Sequence, residues 1–359
     1  MRIAVLGGGH GCYAAAADLS EQGHEVRLWR RDAAALAPVI AARCIALKDH
    51  RGRREVALAL ATADIGAAVR GAELIVVPTP AFAQVDIARA LAPHLSDGQV
   101  VFLPPGTFGS YVMARTARDA GSRAEVAFAE TGTLPYLARK HGPAEVAITT
   151  RATRLPIGVF PATASTHAHA VIAGAFPAVE PAGDALSGAL MNAGPVIHPP
   201  LIVMNAGPLE HFERWDIHNE GTQPSIRRVT DRLDAERIAV REALGYTPPH
   251  FPLSDHYEND RWMYGNAHDK LVDSGDWREH IELRSHRYMR EDVAYGLAFL
   301  VSVADWAGVP CPVASGLLAL GGVIAGEDFT RAPRTLRALG LAGLDAAALR
   351  RLLHEGLER

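Results

Sequence analysis

The stretch MRIAVLGGGHGCYAAAADLSEQGHEVRLWRRD, residues 1–32, constrains the fold more than any other part of the chain. Arg2–Leu6 is a short apolar run with β-branched members and predicts a strand. Gly7-Gly8-Gly9-His10-Gly11-Cys12 interrupts it. Tyr13–Gln22 is alanine-rich, with Ala17 and Leu19 among its helically spaced apolar positions. Gly23 closes that helix, and Glu25–Trp29 predicts a second strand. Together these make a β-α-β unit suited to a diphosphate. Glycine lets the backbone turn sharply and approach the ligand, and the helix N-terminus offers unpaired N–H groups and a positive dipole end. A bare GxG also fits a tight turn in an unrelated α/β protein, but the preceding strand and following helix favour a dinucleotide loop. Gly7 and Gly9 hold the first two fingerprint positions. Cys12 stands at the third, where close helix–strand packing needs a small residue. Gly7, Gly9, His10, Gly11 and Cys12 are therefore the expected cofactor-binding loop.

The chain has 359 residues, enough for two domains. Its net charge of −4 argues against general nucleic-acid binding. Cys12, Cys44 and Cys311 are few, odd in number and scattered, which fits a reducing cytoplasm without a disulfide framework. The apolar opening is broken by glycines and His10, so a strand and turn explain it better than a secretory leader. No long uninterrupted apolar run predicts a membrane span. The 16 histidines show no metal-ligand spacing, and His167 and His169 read as solvated positions at a helix start.

Further strands are expected at Glu55–Leu60, Glu73–Val77, Val100–Leu103, Glu125–Ala129, Glu145–Thr149 and Pro156–Phe160, with helices at Val85–Leu95 and up to about Ala120. Alternation of this kind predicts a Rossmann-type, doubly wound parallel sheet, with ligands outside the strand C-termini. Thr79, Pro104 and Glu130 sit at such ends and are expected to face cofactor or substrate, or else to be ordinary loop residues. From Ala185 the strand pattern gives way to helical ones: Leu186–Val203, Ser225–Leu244, Glu291–Ala307 and Ala346–Leu357. The expected division is a dinucleotide-binding domain, 1–184, and a mainly helical substrate and catalytic domain, 185–359.

An NAD site usually carries an acid at the end of the second strand, for the ribose 2′-hydroxyl. Here that strand ends in Trp29-Arg30-Arg31. An arginine there suits a 2′-phosphate, so NADP is favoured over NAD. Asp32 comes slightly late but could reach a hydroxyl, and both arginines could instead be solvated surface charges.

A nicotinamide-dependent enzyme needs a group that handles a proton. Glycerol-3-phosphate, 6-phosphogluconate and ketopantoate reducers of this layout place a lysine on an early helix of the second domain. This chain has lysine only at 48, 140 and 270, which argues against those activities. It has instead His198 within the apolar segment Asn192–Pro200. Such a histidine is either a satisfied core residue or an acid–base group. Asp292, expected to begin the apolar helix that runs to Ala307, is either a helix cap or a buried acid that orients His198.

Several segments together carry a resemblance. They are the glycine loop, Glu130-Thr131-Gly132-Thr133-Leu134-Pro135-Tyr136, Asn192 to His198-Pro199, and Glu220-Gly221-Thr222-Gln223-Pro224-Ser225. Asp234-Ala235-Glu236-Arg237, Arg287-Tyr288 with Glu291-Asp292-Val293, and Gly308-Val309-Pro310 complete the set. From end to end the chain resembles the opine dehydrogenases of the octopine/nopaline dehydrogenase family. The resemblance implies that His198 and Asp292 are the catalytic pair. It implies a reaction in which an amino acid and an α-keto acid condense to an imine that NAD(P)H reduces. Both substrates carry carboxylates. In so lysine-poor a chain Arg287, close to Asp292, is the candidate to hold one, unless it forms an ordinary surface ion pair. Asn205 is a second substrate candidate, with a helix-end cap as its other reading. No metal is expected. The expected partners are small-molecule substrates, with no nucleic acid and no membrane, and a homodimer is left open. Two other functions fit the same residues. One is an NADP-dependent reductase of a 2-oxo acid, 3-hydroxy acid or preformed imine. The other is a nucleotide-binding sensor without turnover.

Overall fold

A computed structural model describes residues 1–254 and 281–358. Lys270 and part of the expected 185–359 domain lie outside the described residues. The chain divides into two compact units, one comprising Met1–Ala189 and the C-terminal stretch from Arg350, the other running from Leu190 to Leu349.

The first unit opens with β1 (Arg2–Leu6), α1 (His10–Glu21), β2 (Glu25–Trp29), α2 (Ala33–Ala42), β3 (Cys44–Asp49), β4 (Gly52–Ala57), β5 (Leu60–Thr62) and α3 (Ile65–Val69). It continues through β6 (Leu74–Val76), α4 (Ala81–Leu91), β7 (Val100–Leu103), α5 (Gly109–Asp119), β8 (Ala127–Thr131), β9 (Tyr136–Gly142) and β10 (Glu145–Arg151). β11 (Leu155–Phe160), α6 (Ser165–Ala173), β12 (Val179–Asp184) and α7 (Ala185–Ala189) complete it. The main sheet has the order β12-β11-β8-β7-β6-β1-β2-β5. β1 pairs in parallel with both β2 and β6, and β6, β7 and β8 follow in parallel. β6, β7 and, after Arg2, β1 are unbroken apolar runs because the central strands of a parallel sheet are covered on both faces.

Two features are added to the expected parallel sheet. β11 runs antiparallel to β8. A second sheet, ordered β4-β3-β10-β9, packs on α1. Its presence explains the alanines of that helix. Every residue from Gly11 to Leu19 is buried, and a helix covered on two sides must be apolar all round and narrow. Asp18 is the exception, and the second sheet satisfies it. Arg151 Nε donates to its Oδ1 at 2.8 Å and the Tyr136 hydroxyl donates to its Oδ2 at 3.1 Å. Beside it Asp49, its carboxylate fully buried, accepts from Arg54 at 2.8 Å and from Arg151 at 2.9 Å.

The units divide after α7 rather than at residue 184. Gly158 on β11 and Gly188 on α7 face each other, and a Cβ on Gly188 would lie 2.8 Å from the Gly158 nitrogen. Two missing side chains let α7 lie directly on the sheet. The return of the chain from Arg350, where Gly356 meets Pro161, breaks the expected two-block order.

The second unit is helical: α8 (Gly194–Met204), α9 (Ala206–His211), α10 (Pro224–Ala243), a π-helix (Tyr288–Leu297), α11 (Ala298–Ala307) and α12 (Pro312–Ala325). α13 (Ala346–Glu355) follows near the C-terminus. Asp234 and Arg237 form a buried ion pair at 2.7 Å. Arg237 also donates to the carbonyls of Leu190, His250 and Phe251, while Asp234 accepts from Leu253 N–H. Glu236 caps α12 by accepting from Val313 and Ala314 N–H. Among the described residues no helix is long and apolar enough to cross a membrane, and no His, Cys, Asp and Glu cluster is arranged for a metal ion.

Candidate active site

In the first unit β1 delivers the chain into the glycine loop. Gly7 has φ +126°, and a Cβ there would lie 2.7 Å from both Cys12 Sγ and Thr79 Cγ2. Only glycine fits. Gly9 caps α1 with its Cα facing open space. The first turn of α1 has neither a side-chain cap nor an acid, so its N–H groups remain available to an anion. Cys12 is buried, with Sγ 3.6 Å from the carbonyls of Leu6 and Pro78. Burial pushes its thiol up to about 12, so it acts as the small packing residue that the third fingerprint position requires. Thr79, at the end of β6, has a buried Oγ1 with no hydrogen-bond partner among the described residues. Open space at Gly9, uncapped N–H groups and an orphaned hydroxyl fit a dinucleotide here.

The other residues expected around this ligand have separate fates. Arg30 lays its guanidinium over Gly8, where a Cβ would come 2.6 Å from Nε. Arg31 points to solvent and pairs loosely with Asp86 at 3.6 Å. Asp32 caps α2 by accepting from Ala35 N–H at 3.0 Å. Pro104 is buried at the end of β7. Glu130, expected to face the ligand, turns inward instead and is wholly buried. It accepts from Phe108 N–H at 2.7 Å and from the Ser110 hydroxyl. Thr107 and Phe108 there have φ of +54° and +62°, a left-handed backbone that costs L-residues about 1–2 kcal/mol each. Glu130 holds that turn, so its effect on a ligand is indirect.

No local pattern points to Lys140. It lies on β9 of the second sheet, 130 positions from the loop residue it meets: its backbone N–H donates to His10 Nδ1 at 2.8 Å. Its Nζ lies 3.4 Å from Gly8 O and 3.5 Å from the centroid of the Tyr13 ring. Its rarity in the chain was the one available signal.

In the second unit, α8 and the π-helix bring His198 and Asp292 together. Asp292 Oδ2 accepts from His198 Nδ1 at 2.7 Å. Asp292 was expected to begin its helix, but the helix starts at Tyr288 with i→i+5 bonding. A cap role is thereby excluded, since the N-cap position is Arg287. Two glycines permit the approach: side chains at Gly194 and Gly296 would run into Asp292 and Pro195 respectively. The pair is mostly buried, with 17% and 12% of the two side chains exposed. The Tyr288 ring stacks on the imidazole at 3.7 Å and 11°, and the Tyr288 hydroxyl shares a 2.9 Å hydrogen bond with His218 Nε2. The histidine plane is thus fixed on one face and one edge. A carboxylate on Nδ1 leaves Nε2 as the atom able to exchange a proton.

Arg287 is exposed next to this group, its guanidinium 5.2 Å from the Tyr288 ring centroid. Asn205, offered above as a substrate contact, is buried with its amide engaged inside the unit. It donates to Leu201 O and Gly221 O and accepts from the Trp215 indole. That corrects its reading to a structural one.

Residues 181–325 match the family model for the NAD/NADP octopine/nopaline dehydrogenase alpha-helical domain. Residues 2–104 match that for the NAD-dependent glycerol-3-phosphate dehydrogenase N-terminus. The chain resembles the opine dehydrogenases of the octopine/nopaline dehydrogenase family, whose helical domain it matches. It is 29% identical over 354 residues to an opine dehydrogenase of Arthrobacter sp. (strain 1C), covering 97% of each. Its fold is that of an octopine dehydrogenase solved with NADH and agmatine, at TM-score 0.72 and 19% identity over 99% of this chain and 98% of that one. A yersinopine dehydrogenase with NADP+ bound matches at TM-score 0.69 and 14% identity, over 99% and 98%. The protein is an NAD(P)-dependent oxidoreductase.

Proposed function

We propose that this dehydrogenase joins the amine of an amino acid to an α-keto acid and reduces the resulting imine. The observation that carries this reading is the His198–Asp292 pair at 2.7 Å. In the condensation the amine attacks the keto carbon, the C=O oxygen leaves as water, and a C=N bond remains. Bound NAD(P)H supplies the hydride that adds to that carbon. His198 takes the proton the amine sheds and returns one to the departing oxygen. Asp292 keeps the imidazole in the tautomer with Nε2 outward and balances the charge of the imidazolium. Tyr288 holds the ring plane while the proton moves. Arg287 presents a planar two-pronged donor suited to a substrate carboxylate. NADP is the favoured cofactor, because Arg30 rather than an acid follows β2.

The test is oxidation of NADPH with pyruvate in the presence of single amino acids. The expected product has the summed mass of the two substrates less one oxygen. Oxidation by the keto acid alone, with no such product, would establish a simple reductase instead. Binding without oxidation of any pair would favour a sensor.

A further inference from the structure

Two cations converge on Gly8 from different sheets. Arg30 arrives from the end of β2 and occupies the space a Gly8 side chain would fill. Lys140 arrives from β9 and places its ammonium 3.4 Å from the Gly8 carbonyl. The position of Lys140 is tightly set. Its own N–H is bound to His10, and its strand is tied to α1 where the Tyr136 hydroxyl meets Asp18. Among the described residues neither cation pairs with a carboxylate. Lys140 is half-buried, and burial together with the nearby Arg30 charge lowers its ammonium pKa. Two like charges held together in partial burial favour an anion between them.

The position selects the anion. A diphosphate belongs at the N-terminus of α1, over Gly9 to Gly11. Gly8 and the end of β2 lie where the adenosine ribose sits in such a fold. We propose that Lys140 and Arg30 together hold the 2′-phosphate of NADP, so that a residue of the second sheet sets the choice between NADP and NAD. This rests on the cofactor reading above. It adds to the arginine a point charge delivered by a strand far away in sequence.

Calorimetric titration of NADPH and NADH, without keto acid or amino acid, tests it on the wild-type chain and on Lys140→Met. The variant is expected to bind NADPH about 10–100-fold more weakly, with NADH affinity changed by less than about threefold. Lys140→Arg retains most of the NADPH affinity. Wild type binds 2′,5′-ADP more tightly than 5′-AMP, two nucleotides that differ only in the 2′-phosphate. Equal losses for both dinucleotides would reassign Lys140 to the diphosphate and overturn the proposal. So would no loss for either, or a wild-type chain indifferent between 2′,5′-ADP and 5′-AMP. That last comparison stands whether or not the methionine variant folds. No substrate is present, so failure here leaves the condensation reaction standing, and failure of the condensation leaves these affinities unchanged.

Discussion

Asp292 reaches His198 from the interior of a π-helix, at 2.7 Å and with little of either side chain exposed. The relationship depends on backbone as much as on side chains. Gly194 on α8 leaves the space that the carboxylate occupies, and Gly296 lets Pro195 close against the π-helix.

Replacing either partner separates binding from chemistry. His198→Ala and Asp292→Asn should each lower turnover about 10²–10⁴-fold. Cofactor affinity should stay close to wild type. Steady-state kinetics beside a direct NADPH titration measures both, and full activity in either variant would remove the pair from the mechanism.

Gly194→Ala probes the support for that pair. The added methyl meets Asp292, and overpacking of this kind costs about 1–3 kcal/mol. A lower thermal midpoint is expected together with a fall in kcat, because a displaced acid–base group works poorly. An unchanged midpoint with unchanged kcat would show that the two helices can separate without consequence.

Asp49 links stability to pH. The Arg54 guanidinium beside it, with help from Arg51 N–H and Arg151, holds its carboxyl well below the usual range despite burial. A carboxyl depressed in the folded state stabilises fully above its unfolded pKa of about 4 and loses that contribution as pH falls further. Asp49→Asn should therefore cost about 2 kcal/mol at neutral pH. It should also flatten the loss of stability between about pH 5 and pH 3. Denaturant melts across that range check it, and parallel curves for the two proteins would count against the network.

Thiol labelling tests the packing of the loop. Burial pushes Cys12 up to about 12, and burial with the Glu236 charge nearby pushes Cys311 up to about 11. The thiolate is the reactive form. Alkylation of the native protein near neutral pH should therefore reach Cys44 alone, and all three cysteines after denaturation. Native labelling of Cys12 would mean that the glycine loop opens.

The β-α-β unit was readable because its signals are local: β1 and β2 fall at the expected residues, and glycine marks the turn. His198 was readable as a polar residue in an apolar run. The second sheet was only partly visible. β9 carries Arg139, Lys140 and His141 in a strand with weak alternation, and its value lies in pairing with β10 across α1. Glu130 misled because the C-terminal end of a strand is where ligands gather. Whether its side chain points out or in depends on the left-handed turn at Thr107-Phe108, which no local pattern announces. The Asp292 helix was anticipated, but its start and its π geometry were not, since hydrophobic spacing does not distinguish one hydrogen-bond offset from another.

The π-helix also makes the enzyme sensitive to winding. The same residues wound as an α-helix would turn Asp292 roughly 100° further around the axis relative to α11, away from His198. A change of winding that spares every functional side chain would still dismantle the pair. In this part of the molecule the hydrogen-bond offset matters as much as the residues that carry it.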